Sequence, residues 1–156
     1  FIHLAELNVI VCSICKWAVL ADEVVSHLGQ EKHRRAFTAR QRREIRDRIY
    51  EIPRILRRQE DLDDFRFPAP TDPSLPHIAP PATDGLRCDE CGYVLRARSH
   101  MLTHCRDEHG WSNNWTRGGN VKLRATRQRS LPWTTGVHYQ RLFPSRRASR
   151  CFEVSK

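Results

Sequence analysis

A small α+β fold built from two metal-clamped units is predicted by three observations. Cys88-x2-Cys91 is followed by twelve residues and then His104-x4-His109, and an earlier set, Cys12-x2-Cys15, eleven residues and His27-x5-His33, repeats the arrangement. Mean hydropathy is −0.64 and only 39% of residues are hydrophobic, too polar for one large core in a chain of 156 residues. Between the two sets lies PAPTDPSLPHIAPP (68–81), which cannot hold a helix or a central strand. Two cysteines on a tight turn and two histidines on a short helix make the tetrahedral N/S set that Zn²⁺ prefers. The prediction is therefore two separated ββα C2H2-like zinc fingers, joined by a basic helix and a proline-rich linker, with a basic aromatic C-terminal extension. Two zinc ions are expected.

In chain order, residues 1–35 are read as the first finger. The β-rich run from Ile2 to Val11 feeds into Cys12, Val19 and Val24 take the two small core positions, and Asp22 is the expected N-cap of a helix through EVVSHL. At about 100° per residue, positions six apart face different sides of a helix. His33 can therefore join Cys12, Cys15 and His27 only if the helix loosens near Gly29.

Residues 36–66 are read as an arginine-rich helical segment. Thr38 with Gln41 matches a capping box, Ile45, Ile49 and Ile52 recur at near-helical spacing, and Pro53 ends the run. From 34 to 58 ten arginines face three acids, Glu44, Asp47 and Glu51. Such a helix can lie along phosphates or cover an acidic partner, or it can pack its isoleucine stripe on a neighbour with its arginines in water. The charge then reverses, and Glu60, Asp61, Asp63 and Asp64 are expected to pair with the arginines just before them.

Residues 67–84 are read as an extended linker. Residues 85–112 are the second finger, with Leu95 and Met101 as its interior pair. Residues 113–156 form a basic tail with a short strand at GVHYQRLF. Arginines and lysines there interleave with aromatics, which suits flexible nucleic acid, yet Trp111 and Trp115 lie just past His109 and are expected to pack on the finger instead.

Charge points towards polyanions: Lys and Arg number 27 against 18 acids, a formal net charge of +9. A merely solubilising surface has the same composition. Four of the six cysteines sit in Cys-x2-Cys pairs, the reduced intracellular pattern, and leave Cys105 and Cys151 as spare thiols. FIHLAELNVIV is too short and too interrupted for a membrane span or a signal segment. Because the sequence opens on Phe1, a piece of a longer chain is expected. An intracellular, nuclear setting with no membrane and no small-molecule substrate follows.

In fingers that read DNA, a few positions on the first turns of the helix meet base edges. Counted back from the first histidine, these are Ala97, Ser99, His100 and Thr103 in the second finger, flanked by Arg96, Arg98 and Arg106. In the first they are Leu20, Asp22, Glu23 and Ser26, two of them acids that face phosphate poorly. With 54 residues between His33 and Cys88, the pair cannot track one groove together. Candidate nucleic-acid contacts are accordingly Arg42, Arg43, Arg46, Arg96, Arg98, His100 and Arg106. Phosphate-binding glycine loops, nucleophile elbows and the HxE…CxxC deaminase signature are absent from the sequence, and two four-ligand sets favour closed structural sites over catalytic zinc.

The segments VCSICKWAVLADEVVSHL, TDGLRCDECGYVLR, HCRDEHGW, GVHYQRLF and FEV, taken together, resemble a fungal family named after the D protein of the orsellinic-acid biosynthesis cluster. The resemblance implies a two-finger module of unassigned activity, often embedded in larger proteins that look helicase-bearing or mobile-element-related. It carries over the zinc ligands Cys12, Cys15, His27, His33, Cys88, Cys91, His104 and His109. The expected function is a non-enzymatic zinc-binding module that contacts nucleic acid weakly and largely through charge. The alternative is a scaffolding module that binds an acidic protein or other domains of a longer chain.

Overall fold

The computed structural model describes residues 1–112 and 131–155. Trp115 and the basic residues Arg117, Lys122, Arg124, Arg127 and Arg129, expected to act in the tail, lie outside the described residues.

At the front, β1 (Ile2–Leu4), β2 (Val9–Val11) and β3 (Ala18–Val19) form an antiparallel sheet in that order. All three residues of β2 are buried, as a short strand covered on both faces requires. A 3-10 turn at Ala21–Glu23 leads into α1 (Val24–Gly29), and after Gln30 the short α2 (Glu31–Arg34) begins. Asp22 is not the N-cap: that position falls to Glu23 without a side-chain bond, because Asp22 accepts the Tyr50 hydroxyl at 2.6 Å instead.

α3 (Ala39–Tyr50) starts at the expected capping box, in which Thr38 and Gln41 bond each other's backbone N–H. Its isoleucine stripe is the packed face. Ile49 is buried and Ile45 and Ile52 lie against Ile10, Val24 and Leu28 of the front lobe. The apolar spacing selects this face and leaves Arg40, Arg43 and Arg48 exposed.

At the rear, β4 (Ala82–Cys88), β5 (Val94–Leu95), β6 (Trp133–Arg141) and β7 (Cys151–Glu153) close into a barrel in the order β4-β5-β7-β6, with α4 (Arg98–His109) beside it. The tail's expected short strand is thus a nine-residue barrel strand. Trp111 packs edge-on to Trp133 at 6.1 Å, as the packing reading of that tryptophan expects.

The proline-rich stretch is extended but is no free spacer. Ile78 is buried in a central cluster with Val9, Val11 and Leu20 of the front, Leu142, Phe143, Phe152 and Val154 of the rear, and Leu62. Buried Gln140 fastens the same stretch: its amide donates to the carbonyls of Leu75 and Ala79 and accepts the Leu75 N–H. The Ala18 N–H donates to the Leu142 carbonyl at 2.9 Å. A picture of separate fingers on a tether is corrected here, since apolar residues from both ends and the linker bury one another. The acidic run also pairs differently than expected: Asp61 accepts the backbone N–H groups of Arg57 and Arg58, and Asp63 pairs with distant Arg147.

Candidate metal centres

Each Cys-x2-Cys pair sits in the same turn between two antiparallel strands. In the first, the Cys12 N–H donates to the Trp17 carbonyl and the Lys16 N–H to the Cys12 carbonyl, both at 2.9 Å. In the second, Cys88 N–H bonds the Tyr93 carbonyl and Gly92 N–H the Cys88 carbonyl, again at 2.9 Å. Both turns close through a left-handed residue, Lys16 at φ 62° and Gly92 at φ 72°. Burial pushes the Cys15 thiol above its ordinary pKa, opposed by the Trp17 backbone N–H; Cys91 is raised by burial and opposed by the Tyr93 N–H in the same way.

The histidines arrive by two routes. In the front lobe α1 ends at Gly29, Gln30 is extended at φ −65° and ψ 154°, and α2 restarts with the His33 N–H on the Gln30 carbonyl at 2.9 Å. This break resets the helical phase, so His33 turns back towards His27, with ring centroids 4.5 Å apart. In the rear, α4 runs unbroken through His104 and His109 and stops at Gly110, which is left-handed at φ 64°. The Trp111 N–H then bonds the Cys105 carbonyl, closing the helix end.

The two quartets Cys12, Cys15, His27, His33 and Cys88, Cys91, His104, His109 each gather four ligand atoms within 4.8 Å of one another. Zn–S near 2.3 Å and Zn–N near 2.0 Å imply tetrahedral edges of about 3.3–3.8 Å. Cys15 Sγ lies 3.6 Å from His27 Nε2, Cys91 Sγ 3.2 Å from His104 Nε2, and Cys91 Sγ 3.3 Å from His109 Nε2. Both groups can hold a metal ion, and the donor set is compatible with Zn²⁺. His33 is 1% exposed and its Nδ1 has no hydrogen-bond partner, an uncompensated buried nitrogen that a coordinated ring would relieve in part. In the rear, His109 keeps Nε2 towards Cys91 while Nδ1 meets the Glu90 carboxylate at 3.2 Å. A carboxylate on the far ring nitrogen fixes the tautomer and orients a ligating imidazole. Glu90 was missed from sequence; its place between the two ligand cysteines was the available signal.

The environments differ. Cys12 and His33 are buried at the front; at the rear Cys88 is buried, whereas exposed Cys91 opens with His104 and His109 onto a cleft of about 900 Å³ between the proline stretch and β7. Burial, with a smaller contribution from neighbouring His33, pulls His27 down to about 4, which keeps the ring neutral and able to ligate. Cys105 is fully buried against Cys88 and Met101, and burial followed by the charge at Cys88 pushes its thiol up to about 11. Cys151 is likewise raised, by burial. Neither spare cysteine belongs to a quartet.

The arginines chosen from sequence have mixed fates. Arg42 donates to the backbone carbonyls of Phe37 and Arg34, and Arg46 binds Asp47 while its guanidinium lies 5.7 Å from the Tyr50 ring centre. Arg43 is exposed and has no ion pair among the described residues. Arg96 pairs with Asp84 and Arg106 with Asp107, each at 2.7 Å, and Arg98 stands 5.9 Å over the Trp133 ring. His100 is exposed on α4. No helix among the described residues is long and apolar enough to cross a membrane.

A family model described as Orsellinic acid/F9775 biosynthesis cluster protein D matches residues 1–110. It spans both quartets and ends before the GVHYQRLF and FEV segments. No curated protein and no solved structure matches the chain.

Proposed function

The chain belongs to the orsellinic acid cluster protein D family, and from that premise we propose a non-enzymatic module in which two Zn²⁺ ions hold ββα-type fingers and the rear helix contacts nucleic acid weakly, mainly through charge. The observation that carries this reading is the contrast between the two finger helices. At the front, Leu20 is 0% exposed, Asp22 bonds Tyr50 and faces Arg58 at 3.5 Å, and Glu23 accepts from Gln59 and pairs with Arg146. Those positions are consumed by the protein's own packing, so the front finger is architectural. At the rear, Ser99, His100 and Thr103 are exposed beside Arg96, Arg98 and Arg106. The Arg96 and Arg106 ion pairs are solvent-exposed and can be exchanged for phosphate at little cost.

A net charge of +9 supports association with a polyanion, and a nuclear location would follow. Binding of labelled duplex DNA and of single-stranded RNA across a salt series tests the reading. Affinity that falls steeply with salt, and that weakens when Arg96 and Arg98 become glutamate, is the expected result; affinity flat between low and physiological salt would exclude phosphate-driven binding.

The second reading, an acidic protein partner or another domain of a longer chain, is favoured by Arg43 on α3, which is exposed and has no ion pair among the described residues. Because Arg42 and Arg46 are tied to their own helix and its neighbours, Arg43→Glu separates the readings more cleanly than reversing all three. Loss of a protein partner with nucleic-acid affinity unchanged would favour the second.

A further inference from the structure

The loop that joins β6 to β7 covers residues 142–150 and reads PSRRASR from Pro144 to Arg150. Among all serines and threonines of the chain, Ser149 alone has arginine at both the second and the third position before it, Arg147 and Arg146. Pro144 to Arg147 are exposed and Ser149 is part-exposed. The Ser149 carbonyl accepts from Arg141, whereas its hydroxyl has no hydrogen-bond partner among the described residues. What ties the loop down is mostly surface polar contact: Arg146 meets Glu23 at 3.2 Å, Arg147 pairs with Asp63, and Arg150 stands 4.6 Å over the Phe67 ring, while Ala148 rests on the central cluster. Exposed ion pairs of this kind are exchanged for other carboxylates at little cost.

Two guanidinium groups at a fixed distance before a hydroxyl are read by carboxylates in the peptide groove of an arginine-directed protein kinase, since each guanidinium can take a carboxylate in two parallel hydrogen bonds. Such a groove holds an extended segment, which a surface loop can supply and a turn of helix cannot. The fold therefore separates Ser149 from the other hydroxyls that have an arginine three residues before them. Thr38, after Arg35, spends its hydroxyl on the Gln41 N–H as the cap of α3, and Ser99, after Arg96, lies in the first turn of α4. Ser130, after Arg127, lies outside the described residues.

We infer that Ser149 is a phosphorylation site for an arginine-directed serine kinase, selected by Arg146 and Arg147. The Ser149 oxygen attacks the γ-phosphorus of Mg-bound ATP, the bond from that phosphorus to the ADP oxygen breaks, and the hydroxyl proton passes to a carboxylate of the kinase. The product places about −1.5 to −2 charges among Arg141, Arg147 and Arg150. The inference does not depend on the nucleic-acid reading and uses a different part of the molecule.

Incubating the metal-loaded full chain with Mg-ATP and the catalytic subunit of cyclic-AMP-dependent protein kinase, and locating phosphate by tandem mass spectrometry, tests it. Phosphate on Ser149 is expected, and kcat/KM for that position should be about tenfold lower or less in Arg146→Ala/Arg147→Ala, which removes the groups the groove reads. Unfolding would make the loop a better substrate, so a fall in rate cannot come from a misfolded variant. A chain that takes up no phosphate, phosphate confined to Thr38, Ser99 or Ser130, or an equal rate at Ser149 in the double variant would overturn the proposal.

Discussion

Lys16 and Gly92 occupy the same place in the two metal turns, one residue past the second cysteine, with φ of 62° and 72°. A left-handed conformation costs a residue with a Cβ roughly 1 kcal/mol and costs glycine almost nothing. The two turns therefore perform one closure with unequal strain.

That inequality is measurable. Lys16→Gly is expected to stabilise the protein by up to about 1 kcal/mol, and Gly92→Lys to destabilise it by about 1 kcal/mol. A Cβ at Gly92 meets nothing within 4 Å, so its effect is conformational and not steric. Urea denaturation of the metal-loaded protein checks both signs; equal shifts in the same direction would contradict the shared turn.

Gly85 is a steric case. A Cβ there would lie 2.7 Å from Tyr139 Cδ1 and Val137 Cγ2 and 2.8 Å from the Val137 carbonyl oxygen, and the last is backbone that cannot swing away. Gly85→Ala is expected to cost about 1–3 kcal/mol and to part β4 from β6. Loss of slow hydrogen exchange at Val137 reports it directly.

Gln140→Leu keeps the volume but orphans the Leu75 N–H and the carbonyls of Leu75 and Ala79. Buried groups left without partners cost about 1–3 kcal/mol each when water cannot reach them. A loss of about 2–4 kcal/mol is expected, with faster exchange at the Leu75 amide. A neutral outcome would mean that the proline-rich stretch contributes no packing.

Acid should weaken the metal-free chain through His27. Its ring stays neutral in the fold down to about 4, against an ordinary value of 6.5, because burial disfavours the charged form. Between those values the unfolded chain binds a proton that the folded chain does not, so stability falls as pH drops through that window. The urea midpoint of chelated protein should decline from pH 7 to pH 4.5, and decline less in His27→Gln. An identical decline in the two proteins would remove His27 from the account.

Both quartets were legible because ligand type and spacing are local properties of the chain. So was the need for a break near Gly29, which appears at Gln30, and the Thr38 cap. The joined core was not. Leu75 and Gln140 meet across 65 positions, and neither the prolines nor a glutamine carries an apolar period that announces burial. Strand β4, ATDGLRC, lacks clean alternation, so only its partner β6 reveals it as a strand. Asp22 reads as a cap from its neighbours alone, but Tyr50, 28 residues away, claims its carboxylate.

The central claim is that each quartet holds its own ion and thereby its own turn. Native mass spectrometry with elemental analysis of the intact chain, of Cys12→Ser and of Cys88→Ser decides it. The account predicts two Zn²⁺ on the unaltered chain and one on each variant, since the two groups share no ligand. A chain that binds one ion or none, or variants that both keep two, would contradict it.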